Sequence, residues 1–366
     1  MEKNFIDVLA IGFFITLISA ILMILTQRFH GKHTLDHDNG VQKFHDRPTA
    51  RIGGVTIAAG YIAVWFFTTG EVRTLWLLIG LSGLPAFLFG LGEDLTGKVG
   101  VRARLLASIA SGVVFCLSTG YTVTESSIDV INYILSFPFV SLAFSALALG
   151  GMTNAINMID GFHGLASGTV ILILAAIALV ALRVGDDTMV TLSVAMAAIT
   201  AGFFLVNFPF GKIFLGDAGA YYCGFVIAAP AIMLPARNPE VSPWVSLLIV
   251  GYPVTETLFS IFRRLLKKGQ HPGAADSGHL HHMIYKNWAM PAAEKLGVRA
   301  LANPLTGILS WSMPLIALVS VNFVDLRARN SVIVLTLSVL IYLILYRLFS
   351  STEAGTIRSG APPKKE

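Results

Sequence analysis

The sequence predicts an all-α, polytopic integral membrane protein of about eleven transmembrane helices. Three observations predict it. Apolar residues make up 55% of the 366-residue chain and charged residues 13%, whereas a soluble domain carries about a quarter charged residues. Apolar stretches long enough to cross a bilayer recur from one end to the other. Lys and Arg fall on alternate loops: the stretch around 28–51, the 93–104, 207–218 and 263–299 loops and the C-terminus hold all 26 except Lys3, Arg73, Arg183, Arg237, Arg327 and Arg329. By the positive-inside bias the basic side is cytoplasmic, with the N-terminus outside and the C-terminus inside. The net charge of +5 is then a product of topology and needs no nucleic-acid partner.

The elements follow in order. The first span, 7–27, has one Lys before it and no small-residue cleavage pattern after it, so it reads as a retained anchor and not a signal peptide. After a basic loop come 52–69 and 74–92, then, past the acids Glu93 and Asp94, 102–120. A plain outer loop leads to 135–153, which ends in the most polar run of any span. Next are 164–183 and 188–206, then 219–235 and 243–262, and, after the largest basic loop, 300–320 and 331–349. No internal repeat is visible. Residues 1–350 therefore read as one transmembrane catalytic domain, and 351–366, rich in Gly, Pro and Lys, as a disordered cytoplasmic tail. Cys116 and Cys223 fall inside spans and suggest packing, not a disulfide or metal site.

The most informative segment is G-M-T-N-A-I-N-M-I-D-G-F-H-G-L-A, residues 151–166. On a helix the i, i+3, i+6 spacing puts Asn154, Asn157 and Asp160 on one face. Amides and carboxylates at a bilayer edge are costly unless paired, so a functional site is the default reading; helix capping is the alternative. Three further polar groups fall on the same side: Glu93 and Asp94; Asn207, Lys212 and Asp217 in V-N-F-P-F-G-K-I-F-L-G-D-A-G; and His279, His281 and His282 in S-G-H-L-H-H-M-I. The adjacent acids read equally as solvated loop charges. Asp217, a hard oxygen ligand between glycines, suits Mg2+, which takes one or two carboxylates plus phosphate; a helix-capping Asp is the competing view. The histidines lack the Cys or H-E-x-x-H context of a zinc site. Beside Arg263, Arg264, Lys267 and Lys268 they suit phosphate oxygens, against the plainer reading of a solvated basic loop. Carboxylates for a divalent metal, cations for an anionic substrate and a membrane location for a lipid together make an apparatus for phosphoryl transfer.

These residues resemble the polyprenyl-phosphate N-acetylhexosamine-1-phosphate transferase family in its bacterial branch. The match runs over most of the chain: F-H-D-R-P-T-A-R-I-G-G, E-D-L-T-G-K, N-A-I-N-M-I-D-G, I-F-L-G-D-A-G and H-L-H-H, in order. The resemblance implies transfer of a sugar-1-phosphate from a UDP-sugar, by default UDP-GlcNAc, to undecaprenyl phosphate. UMP is released and Mg2+ is required, with Mn2+ as a substitute. It assigns Asp94 to the second acid of the family's pair, Asp160 to its N-x-x-N-x-x-D-G motif, Asp217 to the metal-binding Asp, and His279, His281 and His282 to its histidine motif. The H-x-H-H form, in a loop with Pro272 and Asp276, resembles enzymes that start O-antigen, enterobacterial common antigen or teichoic acid synthesis. The phospho-MurNAc-pentapeptide branch ranks second. Glu93 stands where the family usually has Asp, His163 where a second Asp would stand, and Ala220 where Ser is common.

The implied mechanism gathers the lipid headgroup near Glu93, Asp94, Lys98, Arg102 and Arg104, with Asp94 positioning it and removing a proton only from its monoanion; Asp94, Asp160, Glu93 and His279 are the catalytic candidates. A phosphate monoester is mostly dianionic at pH 7, so a strong base is not obligatory, and single displacement is preferred to a phospho-Asp intermediate. Asp217, helped by Asp160, holds the metal. Asn154, Asn157 and Asn207 hold the nucleotide, and Arg264 with the histidines clamps the sugar-phosphate side. A homodimer is left open. The competing class, a proton-coupled transporter, would place its polar groups at the midplane and show repeat symmetry. A non-catalytic lipid-sugar binding relative is a third possibility.

Overall fold

The computed structural model describes residues 5–36, 49–266 and 278–358. Its first helix, α1 (Phe5–Leu25), is followed by the short α2 (Gln27–Thr34). Leu35–Asp36 and Thr49–Ala50 pair as a two-residue antiparallel ladder. Next come α3 (Gly53–Phe67), α4 (Gly70–Ser82) and α5 (Leu84–Thr96). The last two form one apolar run bent by 45° around Gly83, beside Pro85, which has no N–H to continue the ladder. Then follow α6 (Val101–Thr119), α7 (Asp129–Leu135) and α8 (Pro138–Ile159), whose Pro138 sits in the first turn where no donor is missed.

The second half begins with α9 (Leu165–Val184) and α10 (Asp187–Asn207). Asp186 caps α10 by accepting the Met189 N–H at 3.0 Å. After α11 (Gly216–Arg237), the helices α12 (Pro243–Ile249) and α13 (Gly251–Leu266) are two limbs bent by 76°. Beyond residue 278 come α14 (Leu280–Ile284), a π-helical turn, α15 (Met290–Lys295), α16 (Ala302–Ser310), α17 (Ser312–Ser320) and α18 (Ala328–Arg358).

Every apolar stretch expected to cross the bilayer coincides with a helix or a contiguous set of helices, and the chain is a multi-pass, all-α membrane protein. The count differs in detail from eleven. Among the described residues eight helical segments are long and apolar enough to span alone, and up to ten if each bent pair is one span; the 15 residues of α3 fall below the length. The last helix continues to Arg358, past Ser351, where the sequence suggested a tail; 359–366 lie outside the described residues. So do Phe44–Pro48 of the first basic motif, and Lys267, Lys268, Pro272 and Asp276.

The core is organised around α11. Every residue from Gly216 to Leu234 is buried, and the helix packs against α3, α5, α8 and α9. Between helices in lipid there is no hydrophobic driving force, so small residues that admit close contact decide the crossings. A Cβ on Gly90 of α5 would stand 2.7 Å from the Ala218 nitrogen of α11. The rim is different: α18 turns Ile333, Leu337, Leu340, Ile344 and Leu348 outward.

One end of the bundle is closed by an ion cluster. Arg237, the last residue of α11, donates from Nε and Nη2 to Asp186 at 2.8 and 3.2 Å, and from Nη1 to Glu71 at 2.8 Å and the Tyr121 hydroxyl at 3.0 Å. Burial alone would raise the Asp186 carboxyl, but hydrogen bonds from Arg237, Met189 and Asn238 hold it below its ordinary value. The opposite end gathers the residues that the sequence singled out.

Candidate active site at the N-terminus of the central helix

The site starts from two loops laced by backbone hydrogen bonds. Gly53 N and Gly54 N donate to Phe214 O and Leu215 O, each at 2.9 Å, and Phe214 N donates to Ala50 O at 2.8 Å. This docks A-R-I-G-G onto I-F-L-G-D and brings Arg51 to the start of α11. Gly216 has φ +72°, and a Cβ there would stand 2.1 Å from Arg51 O and 2.7 Å from Asp94 Oδ2. Both the conformation and the space demand glycine.

Asp94, at the end of α5, uses both carboxylate oxygens on this helix start. Oδ1 accepts the Asp217 N–H and Oδ2 the Ala218 N–H, each at 2.9 Å, and the side chain is fully buried. A carboxylate here satisfies two orphan donors and complements the positive end of the helix dipole. The Asp217 carboxylate accepts from Asn157 Nδ2 at 3.0 Å, from Arg51 Nη2 at 3.5 Å and from Arg104 Nη1. Arg51 Nη2 is also 3.7 Å from Asp94 Oδ1. Two acids, two guanidiniums and an amide thus converge from α5, α6, α8, α11 and the segment before α3.

Asp160 follows α8 directly and is an electrostatic neighbour of Arg51 and Asp94. Withdrawal of its carboxyl from water pushes it up to about 7, against the pull of Arg51. The next residue, Gly161, faces the histidines: a Cβ there would lie 3.8 Å from His282 Nε2 and 3.9 Å from His281 Nε2. The three imidazoles form one buried cluster with centroid separations of 5.3 Å (His279–His281), 5.6 Å (His279–His282) and 4.6 Å (His281–His282). Phe162 packs edge-on against His281 and His282. Among the described residues, neither ring nitrogen of His281 has a hydrogen-bond partner. Burial, then the neighbouring imidazoles, hold its pKa well below the ordinary value, so it is neutral at pH 7. The N-x-x-N-x-x-D-G segment therefore lies between the Asp94–Asp217 pair and the histidines.

The remaining expected residues have other surroundings. Glu93 Oε2 accepts the Val99 N–H at 2.8 Å and shapes the turn after α5. Lys98 and Arg102 are exposed beside it. Asn154 donates to Gly150 O of its own helix at 2.8 Å. Asn207, expected to hold the nucleotide, is buried and has both ends of its amide engaged by backbone: Oδ1 accepts the Gly164 N–H at 2.6 Å, and Nδ2 donates to Ile213 O at 2.8 Å. Arg264, expected on the sugar-phosphate side, is buried and donates from Nε to Ser260 O of its own helix at 3.2 Å. His163 joins loops: its N–H donates to Asn303 Oδ1 at 2.6 Å, and its Nδ1 lies 2.9 Å from Pro209 O. Sequence reasoning gave no role to Arg51 or to Glu256, whose Oε1 is 3.0 Å from His279 Nδ1. The signal for Glu256 was present, since an acid inside an apolar span is a site hypothesis by default.

Among the described residues no three His, Cys, Asp or Glu side chains are grouped closely enough to hold a metal ion. A Mg2+ ion on Asp217 would have to share a buried carboxylate that Asn157, Arg51 and Arg104 already engage, and it needs only one or two such oxygens beside phosphate and water.

A multi-pass helical protein that collects acids, guanidiniums and imidazoles at one end of its bundle is equipped as a membrane-embedded enzyme acting on phosphates. Comparison gives the family. The profile of glycosyl transferase family 4 matches residues 76–235. A Bacillus subtilis protein named as a probable undecaprenyl-phosphate N-acetylglucosaminyl 1-phosphate transferase is 31% identical over 245 residues, covering 66% of this chain and 67% of that one. An Escherichia coli undecaprenyl-phosphate alpha-N-acetylglucosaminyl 1-phosphate transferase is 24% identical over 292 residues, 76% of each chain. A phospho-N-acetylmuramoyl-pentapeptide-transferase of Staphylococcus carnosus is 28% identical over 273 residues, 69% of this chain and 82% of its own. The chain belongs to glycosyl transferase family 4.

Proposed function

We propose that the protein transfers an N-acetylhexosamine-1-phosphate from a UDP-sugar to undecaprenyl phosphate at the cytoplasmic face of a bacterial inner membrane, releasing UMP. The observation that carries this reading is the convergence of Asp94, Asn157 and Asp217 with Arg51 and Arg104 at the start of α11. UDP-GlcNAc is the default donor, because the relatives named for that sugar include the one at 31% identity. The family resemblance at 28% to a phospho-N-acetylmuramoyl-pentapeptide-transferase keeps that donor as the second reading. A transporter is disfavoured because the polar groups gather at one end of the helices and not at mid-length.

In this reading a lipid phosphate oxygen attacks the β-phosphorus of the donor as the bond to UMP breaks. The lipid phosphate is mostly dianionic at pH 7, so no residue has to remove its proton. Asp94 acts as a positioning group that holds the start of α11, and with it Asp217. Arg51 and Arg104 supply guanidiniums within reach of phosphate oxygens, a role that suits their planar fork of donors. Neutral His281 and its neighbours line the side reached through Gly161. Asp217, aided by Asp160, would hold Mg2+, which when bound neutralises charge developing on the pyrophosphate.

The test is direct. Purified full-length protein in detergent is mixed with undecaprenyl phosphate, Mg2+ and a panel of UDP-HexNAc donors that includes UDP-MurNAc-pentapeptide, and UMP is measured. UMP release dependent on the lipid and on one donor is expected. Release of no UMP from any donor removes the reading. Asp217→Ala is expected to abolish turnover while the protein still inserts in the membrane.

A further inference from the structure

Glu256 lies on α13, just past its bend with α12, and its side chain is 1% exposed. It belongs to the inward stripe Tyr252–Glu256–Ser260–Arg264, spaced by four and buried throughout. A buried carboxylate is strongly unfavourable unless compensated, and three donors converge on this one. Oε1 accepts the Leu280 N–H at 3.2 Å and faces His279 Nδ1 at 3.0 Å; Oε2 accepts the Tyr342 hydroxyl at 3.0 Å. A neutral side chain would satisfy an amide N–H and a phenol. Of the three donors only the imidazole can itself carry a positive charge. An ionised carboxylate oxygen can only accept, so this contact calls for a proton on His279 Nδ1, with Nε2 on the opposite edge of the ring. Tyr342 extends the arrangement to α18, where it is fully buried.

We propose that Glu256 is a positioning residue for the transfer reaction, fixing His279 with Nδ1–H turned to the carboxylate so that Nε2, when it too carries a proton, donates to a phosphate oxygen of the donor. It does for His279 what an outer-shell carboxylate does for a ligating histidine: it sets the tautomer, the ring orientation and the charge the ring tolerates. The Tyr342 hydroxyl steadies the carboxylate from the other side. This role rests on the transferase reading of the site, and its test separates the two.

The first measurement is the ring-15N spectrum of histidine-labelled full-length protein in nanodiscs, with His279 assigned by loss of its signals in His279→Asn. A protonated His279 Nδ1 is expected in the wild type, and an unprotonated Nδ1 there overturns the proposal whether or not any variant folds. The second is kinetic. Glu256→Gln keeps size and shape but removes the charge, and is expected to lower kcat about 10–100-fold, with the donor KM changed less than threefold. Glu256→Asp restores part of kcat, and Tyr342→Phe loses less than about threefold. A Glu256→Gln protein with wild-type kcat refutes the proposal. If the wild type releases no UMP from any donor, the transferase reading fails, while the ring spectrum still reports on the Glu256–His279 pair.

Discussion

Replacement of Asn207 by Ala separates two roles for a residue that the sequence alone places with the nucleotide. In the structure the amide closes a clasp between the turn that starts α9 and the loop that leads to α11: Oδ1 holds the Gly164 N–H and Nδ2 holds Ile213 O. Asn207 is 6% exposed, so water does not readily replace either bond. The truncation leaves one donor and one acceptor unpaired, each at about 1–3 kcal/mol, or about 2–6 kcal/mol together. At roughly 1–2 °C per kcal/mol for a chain longer than 250 residues, the midpoint of thermal inactivation in detergent falls by roughly 5 °C. Asn207→Asp fares no better, because it keeps the acceptor for Gly164 but turns a second oxygen toward the Ile213 carbonyl. Donor KM of the surviving protein stays within about threefold of wild type, since a clasp carries no direct ligand contact. An Asn207→Ala protein with an unchanged midpoint and a donor KM raised tenfold would show that the amide touches nucleotide, and the clasp argument would fail.

Two further outcomes follow from the same distances. Arg237→Ala leaves the Asp186 carboxylate, whose side chain is 7% exposed, without its cation and costs about 3–5 kcal/mol. Glu71, half exposed at 54%, adds little. Turnover per folded molecule stays near wild type because the cluster is at the end away from the site, and a large fall in kcat with an intact melting midpoint would contradict this. The pH dependence of the metal requirement has a fixed sign. Burial holds the Asp160 carboxyl at about 7, so a proton competes with a divalent ion below that pH. The Mg2+ concentration for half-maximal UMP release then rises about tenfold from pH 8 to pH 6. Asp160→Asn flattens that dependence, and a wild-type profile already flat would take Asp160 out of the metal site.

Part of the candidate site was legible because its motifs sit at the ends of apolar helices. Asp94, Asn157, Asp160, Asp217 and the histidines do lie at one end of the bundle. Their partners were not legible. Asp94 reads as an acid that positions the lipid headgroup or as a solvated loop charge, yet its carboxylate binds two N–H groups 123 and 124 residues away in sequence. Asn207 reads as one of three nucleotide amides, yet a loop closes on it. Arg51 stands in A-R-I-G-G with nothing local to announce its role, because that role depends on Gly53 and Gly54 hydrogen-bonding to Phe214 and Leu215.

The sequence by itself determined that the chain is a bundle of membrane helices and which polar motifs stand at the ends of those helices. Both follow from transfer of side chains between water and hydrocarbon, a property each segment has alone. Only the tertiary structure decided which carboxylate caps α11, which one is held by two arginines, and that Glu256 stands behind His279. Those are pairings between segments far apart in the chain, and burial without a partner is too unfavourable for any of these groups to be placed until its partner is found.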